Sequence, residues 1–323
     1  MWIARLGFLA CTALLFAQVK VPPPVPEVGA LLDRIDCPEG FEARIFATGL
    51  ASPDGLAFDA KGRVCVVEES AGRVTRIGPA GEHETVAQGL NSPEGICLGP
   101  RGEFYVVEDC ANGRLLEIGT DGEVATIAEG LDAPEGVAIR GDSLFLTESS
   151  VQFERNPLKM RTRVLELRRA EGSWGAPTVL LERPMPFSFA ELLEDGPVHL
   201  LVANELAGGK TKQGLWRLDL ETGEFALFGS GLVTPEGLCW TPGEEPGFPL
   251  YVAEENPDNE GNGRISRVSA DGVRSTHATG FKNVEDVLVG PGGRVYVSED
   301  SSGMIIVLCP VPAERADVTP EPR

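Results

Sequence analysis

The chain is poor in positive charge. Its 323 residues hold 28 Lys and Arg against 49 Asp and Glu, a formal net charge of −21 with a pI near 4.6. A polyanion needs a basic stripe to displace its counterions, so nucleic acid is excluded as a partner. Histidine is scarce: His83, His199 and His277 are the only three, and all fall on predicted strand starts or outer strands, where structural roles are expected. No Cys-x-x-Cys pair occurs, which leaves a zinc ribbon or thioredoxin-type motif without its ligands. The Gly-x-Ser-x-Gly elbow, the His-Glu-x-x-His helix and the Gly-x-x-x-x-Gly-Lys-Ser/Thr phosphate loop are also missing.

Nor is there an apolar run long enough to span a bilayer. Residues 6–16 come nearest; with Arg5 before them and Ala17 after, they read as an export signal cleaved before Gln18. Lipid anchoring at Cys11 is disfavoured, because Phe8-Leu9-Ala10 lacks the Leu expected three positions before such a cysteine. The expected order is a signal peptide over 1–17, a Pro-rich linker over 18–36, one folded domain over 37–311 and a polar tail over 312–323. The product is expected to be secreted or periplasmic, monomeric, and without an integral membrane segment.

Glycine (39) and proline (25) are plentiful, and apolar residues make up 42% of the chain, which implies many turns around a large core. These turns repeat. Gly49-Leu50-Ala51-Ser52-Pro53-Asp54-Gly55-Leu56 recurs with Gly89-Leu90 leading to Pro93-Glu94-Gly95-Ile96, with Gly130-Leu131 leading to Pro134-Glu135-Gly136-Val137, and with Gly231-Leu232 leading to Pro235-Glu236-Gly237-Leu238. Degenerate copies lie at Phe187-Ser188-Phe189-Ala190-Glu191 and Gly280-Phe281-Lys282-Asn283-Val284-Glu285. Each copy precedes short β-branched and aromatic runs, which in the first unit cover 55–59, 63–68, 73–77 and 84–87. Six such units predict an all-β fold, a six-bladed β-propeller of four-stranded antiparallel blades. The last unit lacks a fourth run, and residues 40–49 supply it, so the ring closes by pairing its two ends and leaves no free strand edge. Cys37 and Cys309 would meet across that closure, as a disulfide or as two buried thiols; the disulfide is the expectation.

In every unit the acid of the turn motif is followed by a second polar position ending the next strand. The pairs are Asp54/Glu68, Glu94/Glu108, Glu135/Glu148, Glu191/Asn204, Glu236/Glu254 and Glu285/Glu299. The first strand leaves one end of the channel and the second returns to it, so eleven carboxylates and one amide should converge. Two charges 8 Å apart at an effective dielectric of 20 repel by about 2 kcal/mol. Raised pKa values or a hard cation must compensate. Oxygen ligands favour Ca2+, with Mg2+ or Mn2+ as alternatives. The residues one step further on, Glu69, Asp109, Glu205, Glu255 and Asp300, are expected to cap turn amides instead.

Residues 52–64, Ser-Pro-Asp-Gly-Leu-Ala-Phe-Asp-Ala-Lys-Gly-Arg-Val, resemble the Pro-Asp-Gly-Leu-x-x-Asp-x-x-Gly segment of the SMP-30/gluconolactonase/LRE-like family of six-bladed propellers, a grammar shared with NHL-repeat propellers. The resemblance spans nearly all of 40–308. It implies a divalent metal at the channel mouth held by acids and an Asn, and a catalytic base at the Asp of Pro-Asp-Gly. Asp54 matches that Asp, and Glu94, Glu135, Glu236 and Glu285 take its repeat-equivalent places. The family's Pro-Asn-Gly ligand is absent, and only Asn204, on another strand, offers an amide. Residues 40–50 are similar to the entering strand of propellers of the sorbosone and soluble glucose dehydrogenase type, which bind pyrroloquinoline quinone; that triacid needs cations, whereas this mouth is acidic.

The expected function is therefore an exported, metal-dependent hydrolase of a lactone or ester, a small-molecule substrate, with Asp54, Glu94 and Glu236 as the catalytic acids. A non-enzymatic binding propeller with a structural Ca2+ is the alternative, and a quinone-dependent dehydrogenase comes third. Arg155, Lys159, Arg161, Arg163, Lys210 and Lys212 lie on long turns over the same face, either as a lid or paired with rim acids. Residues 256–262 could hold a second calcium, but they depart from EF-hand spacing and read as a solvated turn.

Overall fold

The computed structural model describes residues 25–312, apart from 151–153, 155, 157–158, 207–211, 242–247 and 256–262. The expected export signal, the tail beyond 312, the candidate second calcium loop and the candidate lid cations Arg155 and Lys210 lie outside the described residues. Within 18–36, residues Val25–Leu32 form a helix. Leu31 is buried against the core between the last two blades, and Asp36 makes a β-bridge with Thr279, so this segment docks on the ring rather than running free as a linker.

Six antiparallel sheets follow in chain order. The blades are residues 53–88, 93–132, 134–184, 189–230, 235–281 and 284–310, the last completed by Phe41–Thr48. Blade 3 carries an extra two-residue strand, Ser173–Trp174. The core is divided among the seams: each second strand is buried along its length, with Val64 and Val66 packed on one seam and Cys65 and Val67 on the next, and Phe104 and Val106 likewise opposed to Tyr105 and Val107. This is the period-two pattern that buries both faces of a blade.

The ring closes as expected. Phe41–Thr48 pairs antiparallel with Met304–Pro310, Phe41 opposite Pro310 and Thr48 opposite Met304. The disulfide is a correction: Cys37 and Cys309 are both free thiols. The register sets Cys309 opposite Glu42, and its side chain packs on the blade 1 side of the closing sheet, whereas Cys37 packs on the blade 5 side. The sheet itself separates them.

Candidate active site

In all six blades the first strand breaks register with the second at one place: between Pro53 and Leu56, Pro93 and Ile96, Pro134 and Val137, Phe189 and Leu192, Pro235 and Leu238, Val284 and Val287. A bulge of this kind frees two residues from the ladder and re-aims their side chains. The freed pairs are Asp54-Gly55, Glu94-Gly95, Glu135-Gly136, Ala190-Glu191, Glu236-Gly237 and Glu285-Asp286. Just before the motif proline, Ser52, Ser92, Ala133 and Thr234 hold φ values of 52°, 47°, 44° and 39°. Such left-handed backbone is uncommon for these residues and sharpens the turn into the channel.

The first freed position builds an acidic ring. Asp54, Glu94, Glu236 and Glu285 are half-buried and Glu135 is buried. Burial first, then the neighbouring carboxylates, pushes each one upward. Asp54 is raised by Glu285, Asp286, Glu191 and Glu69; Glu94 by Asp54, Glu135, Asp109 and Glu236; Glu236 by Glu205, Glu135, Glu285 and Glu255. Glu135 is raised by Glu205, Asp109, Glu191 and Asp54, and Glu285 reaches about 8 under burial and the charges of Glu255 and Asp300.

Glu191 departs from its expected place. Phe189 lies opposite Asn204 as Pro53 lies opposite Glu68, so Ala190 occupies the ring position and Glu191 the glycine position one residue deeper. Blade 6 keeps Glu285 in the ring and adds Asp286 at the deeper level, a residue the sequence reading passed over.

The second members of the expected pairs do something else. Glu68 is fully buried; it accepts from the Ala51 amide at 2.8 Å, from Arg73 at 2.6 and 2.8 Å and from the Thr75 hydroxyl at 2.5 Å. Burial alone would raise it, but these donors outweigh burial and hold it below the usual carboxylate range. Glu108 accepts from Asn91 N at 2.8 Å and from Arg114 at 2.5 and 2.6 Å. Glu148 takes Asp132 N at 3.0 Å and Arg163 at 2.5 Å. Glu254 takes Val233 N at 2.5 Å, Arg264 at 2.6 Å, Arg274 at 3.1 Å and the Ser266 hydroxyl. Asn204 accepts from Ser188 N at 3.0 Å through its carbonyl oxygen and donates to Leu206 O and Lys212 O. Glu299 accepts from Lys282 N at 3.1 Å, Asn283 N at 2.8 Å and Ser302 N at 2.9 Å. These six are latches between consecutive blades, with their lone pairs committed, and they do not share the mouth with the ring.

The residues one step later anchor the turns through their backbone. The backbone N–H groups of Glu69, Asp109, Glu205, Glu255 and Asp300 donate to Ser52, Ser92, Ser188, Thr234 and Asn283 carbonyls at 2.8–3.2 Å, and their carboxyls add to the field on the ring. Burial raises Glu205 and Glu255 as well. An Arg near the start of the third strand, at Arg73, Arg114, Arg163 and Arg264, was the signal in the sequence that assigns Glu68, Glu108, Glu148 and Glu254 to latches.

The donor set suits a hard cation in chemistry, since every group is an oxygen and the Oδ1 atom of Asp300 is buried without a hydrogen-bond partner among the described residues. Among the described residues, no three His, Cys, Asp or Glu side chains are already drawn together as a metal site. Of the lid cations, Arg163 pairs with Glu148 and with Asp132 at 2.9 Å, and Arg161 with Glu182 at 3.5 Å. The histidines stand away from the mouth: His83 opens an outer strand, His199 faces Asp219 at 3.4 Å, and His277 is wedged between Phe41 and Tyr251, its pKa lowered to about 4 by burial.

No protein-family profile and no curated protein matches the sequence. Solved structures do. The fold superimposes on a gluconolactonase from Xanthomonas campestris with a TM-score of 0.68 at 13% identity, covering 86% of this chain and 95% of that one. It superimposes on a putative gluconolactonase with a TM-score of 0.64 at 17% identity, over 84% and 93% of the two chains. The aldose sugar dehydrogenase of Streptomyces coelicolor, solved in its PQQ-bound form, gives a TM-score of 0.56 at 16% identity, over 84% and 99%. At these identities the likeness is one of fold: this chain has the six-bladed architecture of the gluconolactonase-type propellers.

Proposed function

We propose that the acidic mouth is the active site of an exported hydrolase acting on a lactone or related ester. The observation that supports it is the repeated bulge, which sets Asp54, Glu94, Glu135, Glu236 and Glu285 at one end of the channel, each raised by burial and by neighbouring carboxylates. A carboxyl brought toward neutrality is a better proton acceptor than an ordinary Asp when ionised and a donor when it holds its proton. Asp54, the one aspartate among the five ring acids, raised by burial and by Glu285, Asp286, Glu191 and Glu69, is the general base toward a water molecule. Glu94, on the neighbouring blade, and Glu236, two blades round the ring, hold protons in reserve for the leaving alkoxide. The likeness to gluconolactonase folds favours a cyclic ester over an open one.

A divalent cation, Ca2+ in the first place, would be held by the carboxylates of this ring, and when bound it would polarise the carbonyl and lower the pKa of water. The ring acids hold water and substrate oxygen in place; the latches hold the ring. A panel of sugar lactones assayed with and without EDTA, in the wild type and in Asp54→Asn, tests this. Turnover should vanish on chelation, return with CaCl2, and fall by about 10²–10⁴ in kcat in Asp54→Asn. Full activity after chelation would defeat the cation, and calcium binding without turnover on any lactone would make the propeller a binding protein.

A further inference from the structure

Below the ring the channel is narrowed. The position after the acid is Gly55, Gly95, Gly136 and Gly237 in four blades, and there a Cβ would collide with the Glu94 carbonyl, the Glu135 carbonyl, the Glu191 backbone (2.8 Å from its Cα) and the Asp286 side chain respectively. In the other two blades Glu191 and Asp286 fill the space the glycines leave. Glu191 carboxyl oxygens lie 3.0 Å from where side chains on Gly95 and Gly136 would begin. Asp286 accepts from the Leu56 amide of blade 1 and from Val287 N, each at 2.7 Å. The two carboxyls, from blades 4 and 6 on either side of blade 5, thus narrow the channel at one level.

Beneath them is a cavity of about 330 Å³ opening on the face opposite the acidic mouth. Glu191 and Asp286 form its inner end, Glu194 adds a third carboxyl to its lining, and its walls are the lower halves of the first strands, with Leu98, Ile139, Leu193 and Leu288 among them. A cavity of about 150 Å³ already accepts a benzene-sized body, so this one takes a ring with a short arm. Leu98, Ile139, Leu193 and Leu288 are half-exposed, which leaves the lower opening accessible. A largely apolar pocket lined by three acidic groups, two of them at its inner end, complements one chemistry: an apolar body carrying a cationic nitrogen. A carboxylate ligand is repelled, and a purely apolar one leaves the acids facing hydrocarbon.

We propose that this lower cavity is a second binding site, separate from the mouth, for a small organic amine whose ammonium group donates to the carboxyl oxygens of Glu191 and Asp286 while its apolar body lies among the leucines and isoleucines. The site does not depend on the hydrolase reading.

The test is calorimetric titration of the full chain with phenethylamine, set against 2-phenylethanol and 3-phenylpropionate, which keep the shape and change the charge. The amine should bind, the alcohol about tenfold or more weakly, and the carboxylate not at all. Glu191→Gln and Asp286→Asn should each weaken the amine by about tenfold or more. Leu98→Trp and Leu288→Trp, at the half-exposed lower opening, should abolish binding by filling the cavity. Equal affinity for amine and alcohol, undiminished amine binding in both carboxyl variants, or full affinity in both tryptophan variants would overturn the proposal; the last would move the amine to the mouth.

Discussion

At the scale of single residues, the division between ring and latch decides what a substitution does. Glu68→Ala leaves the Ala51 amide and the Arg73 guanidinium without their acceptor, at a cost of about 2–3 kcal/mol, so the melting temperature should drop by roughly 5–10 °C. Calorimetry with and without calcium separates the two roles: a latch loses stability and keeps its cation affinity, whereas unchanged stability with lost cation affinity would put Glu68 in the ring. The sequence showed that two acids per unit matter and where the turn motif lies. It did not show which of two adjacent acids faces inward, because Glu68 and Glu69 differ only in the rotation of the strand end. The Arg near the start of the third strand resolves that ambiguity. Blade 4 was misread by one residue because Phe189 replaces the motif proline, removing the anchor against which Ala190 and Glu191 could be counted.

At the scale of elements, the turn grammar was legible almost throughout. The first unit's four expected runs correspond to strands Pro53–Phe58, Val64–Glu68, Arg73–Ile77 and His83–Gln88. Closure by residues 40–49 was legible because a unit one strand short needs a partner for its free edge. The placing of Cys37 was not, since two cysteines near one strand pair can lie on opposite faces of the sheet. The helix Val25–Leu32 was hidden by its proline-rich surroundings, and the burial of Leu31 and the Asp36–Thr279 bridge reveal its docking. The closing strand carries a direct prediction. Truncation to residue 49 exposes the edge of Met304–Pro310 along its length, and the shortened chain should melt at least about 10 °C lower and aggregate, since a completed blade is lost from a single ring. A truncated chain with unchanged melting would mean that the ring does not depend on joining its ends.

At the scale of the whole molecule, the acidic ring costs stability that protons or a cation return. An acid whose pKa in the folded state lies above its unfolded value keeps its proton in the native protein where the unfolded chain has released it. Stability then falls as pH rises between the two values. For Glu285 that window runs from about 4.5 to about 8, and for Asp286 from about 3.8 to about 7; Asp54, Glu94, Glu135 and Glu236 are displaced in the same direction. Asp59, Glu68, Glu103 and Glu254 are displaced downward. Their contribution is present above their unfolded values and is lost only as pH falls below about 4. Maximum stability of the cation-free protein is therefore expected at mildly acidic pH.

The most direct measurement is the melting temperature of the chelated protein across pH 5 to 8, at fixed ionic strength, with and without millimolar CaCl2. The ring predicts a fall of roughly 5–10 °C over that range without calcium, and a rise on adding calcium that is large at pH 8 and small at pH 5. A melting temperature that is level across the range and indifferent to calcium would contradict the crowding of carboxyls at the mouth, and with it the proposed chemistry.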